Sequence, residues 1–64
     1  MLIEFTKLDE KGVWVEPKNI AYVMKWALDP EVTVIQFIGT EGNYIIVKES
    51  LERVINDLYA AELS

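Results

Sequence analysis

The chain contains no cysteine and no histidine among its 64 residues. Without cysteine there is neither a disulfide framework nor a thiolate zinc site to hold a small fold together. Without histidine the commonest general base and the commonest metal ligand are both missing. Positive charge is also scarce, with six Lys and Arg against eleven Asp and Glu and a net charge of −5. The cations Lys7, Lys11, Lys18, Lys25, Lys48 and Arg53 are scattered and mostly have acids near them in sequence. No basic stripe is present to displace counterions from a phosphate backbone, so nucleic acid is not an expected partner. No hydrophobic run approaches the roughly 20 residues a membrane-spanning helix requires. The opening Met1-Leu2-Ile3-Glu4-Phe5 has neither the basic start nor the long apolar stretch of a signal peptide. A cytoplasmic protein with no membrane partner is therefore expected.

What is present is apolar. Hydrophobic residues make up 52% of the chain and charged ones 27%, a globular balance rather than a disordered one. The length allows one small domain spanning 1–64. A chain of this size buries only about 60% of the surface that its unfolded form exposes. With two Trp, three Tyr and two Phe, either a dense core or self-association into a homo-oligomer would offset the cost of ordering it.

Breaks fall at Asp9-Glu10-Lys11-Gly12, Pro17-Lys18-Asn19, Asp29-Pro30-Glu31 and Gly39-Thr40-Glu41-Gly42-Asn43. Residues 1–8 alternate as a strand, with Ile3 and Phe5 on one face and Glu4 and Thr6 on the other. A hairpin loop follows, in which Gly12 is expected to take positive φ, and then a short strand over 13–16 ended by Pro17. The β-branched run 32–38 reads as a strand, and a second hairpin loop leads into a strand over 44–48. Leu51, Val54, Ile55, Leu58 and Tyr59 form the stripe of an amphipathic helix over about 50–62. Ser50 stands at its N-cap and Glu52 in its first turn. Leu51, Val54, Ile55 and Leu58 are expected to pack it on the sheet. Periodicity alone does not decide residues 20–28. As a strand, Ile20, Tyr22, Met24, Trp26 and Leu28 share a face; as a helix, Ile20, Val23, Met24, Ala27 and Leu28 form a stripe.

The stretch Thr33-Val34-Ile35, a Gly-containing hairpin ending at Tyr44, and the run Val47-Lys48-Glu49-Ser50 opening a helix resembles the FlbD-like proteins of flagellar and swarming motility. Small phage proteins of similar type exist as well. Met1 to Leu8 is similar to the family's opening strand, and Glu16-Pro17-Lys18-Asn19-Ile20 to the element at which its chain turns into the next strand. The resemblance implies that 20–28 is a strand. The expected architecture is then α+β, a small bent antiparallel sheet of about five short strands with one C-terminal helix. It also implies an accessory role in motility. The missing histidine and cysteine argue against an enzyme, and no cofactor is expected.

No catalytic constellation stands out. Ser50 reads as a helix cap rather than a nucleophile, and Glu49 and Glu52 as solvated acids at a helix end. The acids in the turns lack the spacing of a calcium loop, and Gly39 and Gly42 lack the Lys-Ser or Lys-Thr of a phosphate cradle. The aromatics carry more information. Trp14, Tyr22 and Trp26 alternate against Val13, Val15, Ala21 and Val23, so both faces of the sheet are apolar, and one short helix covers a single face. Either the sheet curls over itself or a partner covers the second face. Trp14, Tyr22, Met24 and Trp26 are accordingly the expected protein-binding residues of an assembly module. The rival reading is a phage-encoded acidic inhibitor of a host or defence protein, acting through residues such as Glu4, Asp29, Glu31 and Glu41. A third, RNA binding in the manner of the CsrA-like proteins, meets an adverse charge.

Overall fold

The computed structural model describes residues 1–63. Five strands and one helix follow in the order β1 (Ile3–Thr6), β2 (Gly12–Val15), β3 (Ile20–Trp26), β4 (Asp29–Phe37), β5 (Tyr44–Val47) and α1 (Leu51–Leu63), with a single 3-10 turn at Pro17–Asn19 before β3. Every pairing is antiparallel. The fold is α+β with five strands, as expected. They form a β1–β2 ribbon and a β3–β4–β5 sheet rather than one continuous sheet.

The reason for the division lies where β1 and β5 meet. They touch only at their ends, through a bridge between Lys7 and Val47, and the Lys48 amide donates to the Thr6 carbonyl at 2.7 Å. One residue further on, the chain leaves the ladder. The Glu49 carboxylate takes the place of a strand and accepts from the Thr6 amide at 2.9 and 3.2 Å. The Glu49 carbonyl accepts from the hydroxyl of fully buried Thr33 at 2.8 Å. Ser50 then caps the helix, its Oγ accepting from the Arg53 amide at 3.2 Å. Val47 to Ser50 is thus a joint between ribbon, sheet and helix.

Folding at this joint turns one face of each sheet toward a common interior. Phe5, Val15, Ile35, Val47 and Val54 form the core, contributed by β1, β2, β4, β5 and α1 respectively. Ile3, Val13, Ile20, Val23, Phe37, Ile45 and Leu58 surround it, half-buried. The helix presents a narrower stripe than its sequence suggests. Val54 is fully buried, and Leu51, Leu58 and Ala61 half-buried, whereas Ile55 is 48% exposed and Tyr59 60% exposed. Ile55 was expected to pack on the sheet. It lies outside because the buried and half-buried apolar side chains of α1, Leu51, Val54, Leu58 and Ala61, follow the spacing i, i+3, i+7 and i+10, a narrow stripe that leaves Ile55 on its flank.

Residues 20–26 are a strand, which ends at Trp26 rather than Leu28. Trp26 pairs with Asp29 across a two-residue Ala27-Leu28 turn. Asp29-Pro30-Glu31, expected as a break, belongs instead to β4. The register slips between Lys25, opposite Thr33, and Trp26, opposite Asp29, so β4 carries extra residues there. Pro30, which has no amide to donate, occupies that bulge, and the Asp29 carboxylate accepts from the Glu31 amide at 3.0 Å.

The first hairpin also departs from expectation. Gly12 lies in β2 opposite Thr6, and the positive φ falls on Glu10, at 72°. The Glu10 amide donates to the Lys7 carbonyl at 3.0 Å and the Lys7 amide to the Lys11 carbonyl at 2.9 Å. This is the three-residue hairpin loop whose last residue is left-handed, a position that glycine or asparagine usually fills. At Gly12 the constraint is space, since a Cβ would stand 2.7 Å from a Glu4 carboxylate oxygen.

Two stability predictions follow from these contacts. Glu49→Ala leaves the half-buried Thr6 amide without its acceptor, so a loss of about 1–3 kcal/mol is expected in urea denaturation, with Glu49→Gln recovering part of it. Glu10→Gly relieves the left-handed strain, worth about 1 kcal/mol, but gives up the exposed ion pair of Glu10 with Lys48. A small net gain in stability is expected. Lys48→Met, which removes the same ion pair and leaves the strain, should show none.

Candidate functional site

The helix and the ribbon pack on the Ile35 side of the three-stranded sheet, and the side chains that alternate with the core residues point away from both. On β3 these are Tyr22, Met24 and Trp26, on β4 Val32, Val34 and Gln36, and on β5 Tyr44 and Ile46. The register sets them in rows. Tyr22, Gln36 and Tyr44 are directly opposite one another across the sheet, as are Met24, Val34 and Ile46.

Burial across this face is uneven. Val34 is 6% exposed and Gln36 8%, although no helix or second sheet lies above them. Their shelter comes from the edge strands, whose long side chains flank the centre. Tyr22 is 53% exposed, Met24 48% and Tyr44 51%, while Trp26 and Ile46 are half-buried. None of the outward-facing residues on these strands between Tyr22 and Trp26, Val32 and Gln36, or Tyr44 and Ile46 carries a charge. The face is an apolar platform edged by two phenols.

Gln36 gives the platform its polar anchor. Its side-chain amide lies 3.1 Å from the Phe37 carbonyl and 3.2 Å from those of Thr40 and Asn43. The Asn43 amide in turn donates to the Thr40 carbonyl at 3.0 Å, and the Phe37 amide to the Asn43 carbonyl at 2.8 Å. One buried side chain thereby holds the 38–43 loop against the end of the sheet, where Gly39 takes a φ of 124° that favours glycine.

Of the four residues expected to bind a partner, the structure brings together Tyr22, Met24 and Trp26. Trp14 stands apart. It is 61% exposed on the outward face of the ribbon, opposite Glu4, with β1 and the joint between it and β5. Tyr44 and Ile46 belong to the platform but were not expected there. Their strand, Tyr44-Ile45-Ile46-Val47, is apolar on both faces, so its pattern does not say which pair faces outward. Pairing with β4 decides it. The acids of the rival reading are all exposed but occupy separate places: Glu4 on the ribbon, Asp29 and Glu31 at the start of β4, and Glu41 in the 38–43 loop.

Away from the platform, a concavity of about 650 Å³ opens between the 3-10 turn and the C-terminal half of α1, lined by Pro17, Ile20, Leu58 and Ala61. Glu16 and Glu62 also line it, and it holds no converging set of reactive groups. Among the described residues no three acidic side chains come close enough to hold a metal ion. Among the same residues no helix is long and apolar enough to cross a membrane.

Comparison with known proteins returns no match to a family model, to a curated protein or to a solved structure.

Gln36→Leu tests the anchor. The chain should remain folded but lose about 1–2 kcal/mol, the net worth of the hydrogen bonds given up. Amide exchange at Phe37 and Asn43 should accelerate more than at Val34, which lies away from the loop.

Proposed function

We infer that the chain is a non-enzymatic protein-binding and assembly module of the cytoplasm, and that its contact surface is the outer face of β3–β4–β5. The observation that carries this reading is an uncharged sheet face bearing Tyr22, Met24 and Tyr44, each about half exposed, with no element of the fold above it. Large side chains left in water over an already buried centre are what a partner would desolvate. Aromatic and methionine side chains dominate such contacts. The likeness of Val47 to Ser50 to the FlbD-like proteins supports an accessory role in motility. In this chain the run builds the joint, so the likeness speaks for a shared architecture and the face for the mode of action.

Cross-linking and affinity capture with the tagged chain test the reading. Met24→Glu and Trp26→Ala should lose the captured partner while keeping the far-ultraviolet spectrum of the folded chain. Trp14→Ala should keep the partner. Capture should also survive about 1 M salt, at which the Debye length falls to roughly 3 Å. If Trp14→Ala loses the partner and Met24→Glu does not, the ribbon is the contact surface and this assignment is wrong. Capture abolished by salt and indifferent to Met24→Glu would instead favour the acidic inhibitor, since contacts steered by Asp29, Glu31 or Glu41 are screened.

A further inference from the structure

The outer face of β3–β4–β5 carries two rows of side chains in register, Tyr22–Gln36–Tyr44 and Met24–Val34–Ile46. None of these residues is charged, in a chain whose net charge is −5. That contrast bears on what can lie against the face. A basic or acidic partner is steered by ions at the contact, and the two rows offer none. Two copies of the chain repel one another through any surface that carries its acids, but meet here without bringing like charges together. The exposed area is sufficient for such a meeting. Tyr22, Met24 and Tyr44 are each about half exposed, and Ile38, beside Tyr22 and Gln36 at the end of β4, is 63% exposed. With Trp26 and Ile46 half-buried alongside, each copy offers on the order of 500 Å², given that a large aromatic side chain carries about 200 Å². Two copies face to face then bury about 1,000 Å², the lower bound of a specific interface, before any contribution from the rim.

We propose that this face packs against the same face of a second copy, as a two-layer sandwich related by a two-fold axis that crosses the strands between the two rows. The proposal rests on the reading of the face as the contact surface and names the partner. Rotation about that axis keeps each strand above its own counterpart and runs the two antiparallel, within the roughly 30° that packed sheets adopt. It lays the Tyr22–Gln36–Tyr44 row of each copy over the Met24–Val34–Ile46 row of the other. Tyr22 then meets Met24 twice, a ring against a thioether, and Tyr44 meets Ile46 twice. Gln36 comes over Val34, and both are already nearly buried within their own chain. The Gln36 amide nitrogen keeps the carbonyls of Phe37, Thr40 and Asn43, so it needs nothing from the partner. Tyr22 and Tyr44 lie on the two edge strands, where a phenol hydroxyl reaches water.

Charge at the two ends of the sheet selects this axis over one that runs along β4. Asp29 and Glu31 are exposed at the end where β4 begins, and Lys18 and Glu41 at the end where β3 begins. Lys25, near the acidic end, stands opposite buried Thr33 and so lies on the helix side of the sheet. An axis along β4 brings the two acids of each copy against the same two of the other. The crossing axis sets them instead at the end where Lys18 stands. Among the described residues Lys18, Asp29 and Glu31 belong to no ion pair within the chain.

Sedimentation velocity on the full chain up to millimolar concentration tests this, together with a charge exchange between the rows. The wild type should approach twice the 7.4 kDa mass of one chain as concentration rises. Tyr22→Lys and Met24→Glu should each weaken association at least about tenfold, because each sets a charge over an apolar side chain of the other copy. An equimolar mixture of the two variants should associate at least about tenfold more tightly than either alone. In that pair the introduced ammonium of one chain lies over the introduced carboxylate of the other, while the second Tyr22–Met24 contact stays native. Both positions are about half exposed, so the circular dichroism of each variant should match the wild type. A wild type that stays monomeric at every concentration overturns the self-pairing, as does a dimer indifferent to both substitutions. A dimer weakened by both but not rescued by mixing overturns the row-over-row arrangement. A monomeric wild type from which Met24→Glu still removes a captured protein leaves the platform as a contact surface with a different occupant. Capture indifferent to Met24→Glu ends that reading as well.

Discussion

The architecture depends on how the end of β1 is tied to the end of β5. Two backbone groups of Thr6 are involved: its carbonyl accepts from the Lys48 amide, and its amide donates to the Glu49 carboxylate. The first contact is a ladder bond and the second a side chain substituting for one. At that substitution the two sheets cease to be one sheet. A half-buried amide requires an acceptor, and a carboxylate supplies it without obliging the chain to continue as a strand. The chain is free to begin a helix at the next residue. Ribbon, sheet and helix thus converge within four residues, and Val47, fully buried beside them, carries that convergence into the core.

Exposure follows from this geometry. One short helix and one two-stranded ribbon both lie on the same side of the three-stranded sheet, because the joint turns them there. Nothing remains to cover the other side. The sheet compensates partly from its own edges, with Tyr22, Met24 and Trp26 on one flank and Tyr44 and Ile46 on the other sheltering Val34 and Gln36. Apolar burial on that face is local and incomplete, since the sheltering side chains are themselves left in water. The same lack of covering elements leaves β3 with an unpaired edge. The platform and the open edge are therefore two consequences of one distribution of mass about the sheet.

Much of the fold is legible in the residues. Alternation at Ile3 and Phe5, the β-branched run from Val32 to Ile38 and the Ser50 cap each mark an element that forms, because each signal is local and agrees with its burial. The misreadings arise where local chemistry has more than one use. Glu10 takes the left-handed position that Gly12 suited better, because hairpin length is set by which residues pair across the ribbon. Pro30 reads as a break yet lies within β4, since a bulge accommodates its missing amide. Ile55 fits the helical stripe, but the width of the stripe that is covered depends on what packs against the helix, and that is settled only by the tertiary contacts. At the candidate site, alternation places Tyr22, Met24 and Trp26 together. It does not say that Trp14 lies beyond a bend, nor that Tyr44 and Ile46 join them.

Composition and periodicity by themselves determined the mixture of strands with one C-terminal helix, every segment except 20–28, which they left open between strand and helix, and the surplus of apolar surface over what one helix shelters, because each depends on residues near one another in the chain. The tertiary structure decided the division into two sheets, the side of the sheet on which helix and ribbon lie, and which aromatic residues share a face. Those outcomes depend on pairings between residues up to 43 positions apart, as in the contact of Thr6 with Glu49, and no local pattern encodes a register across that distance.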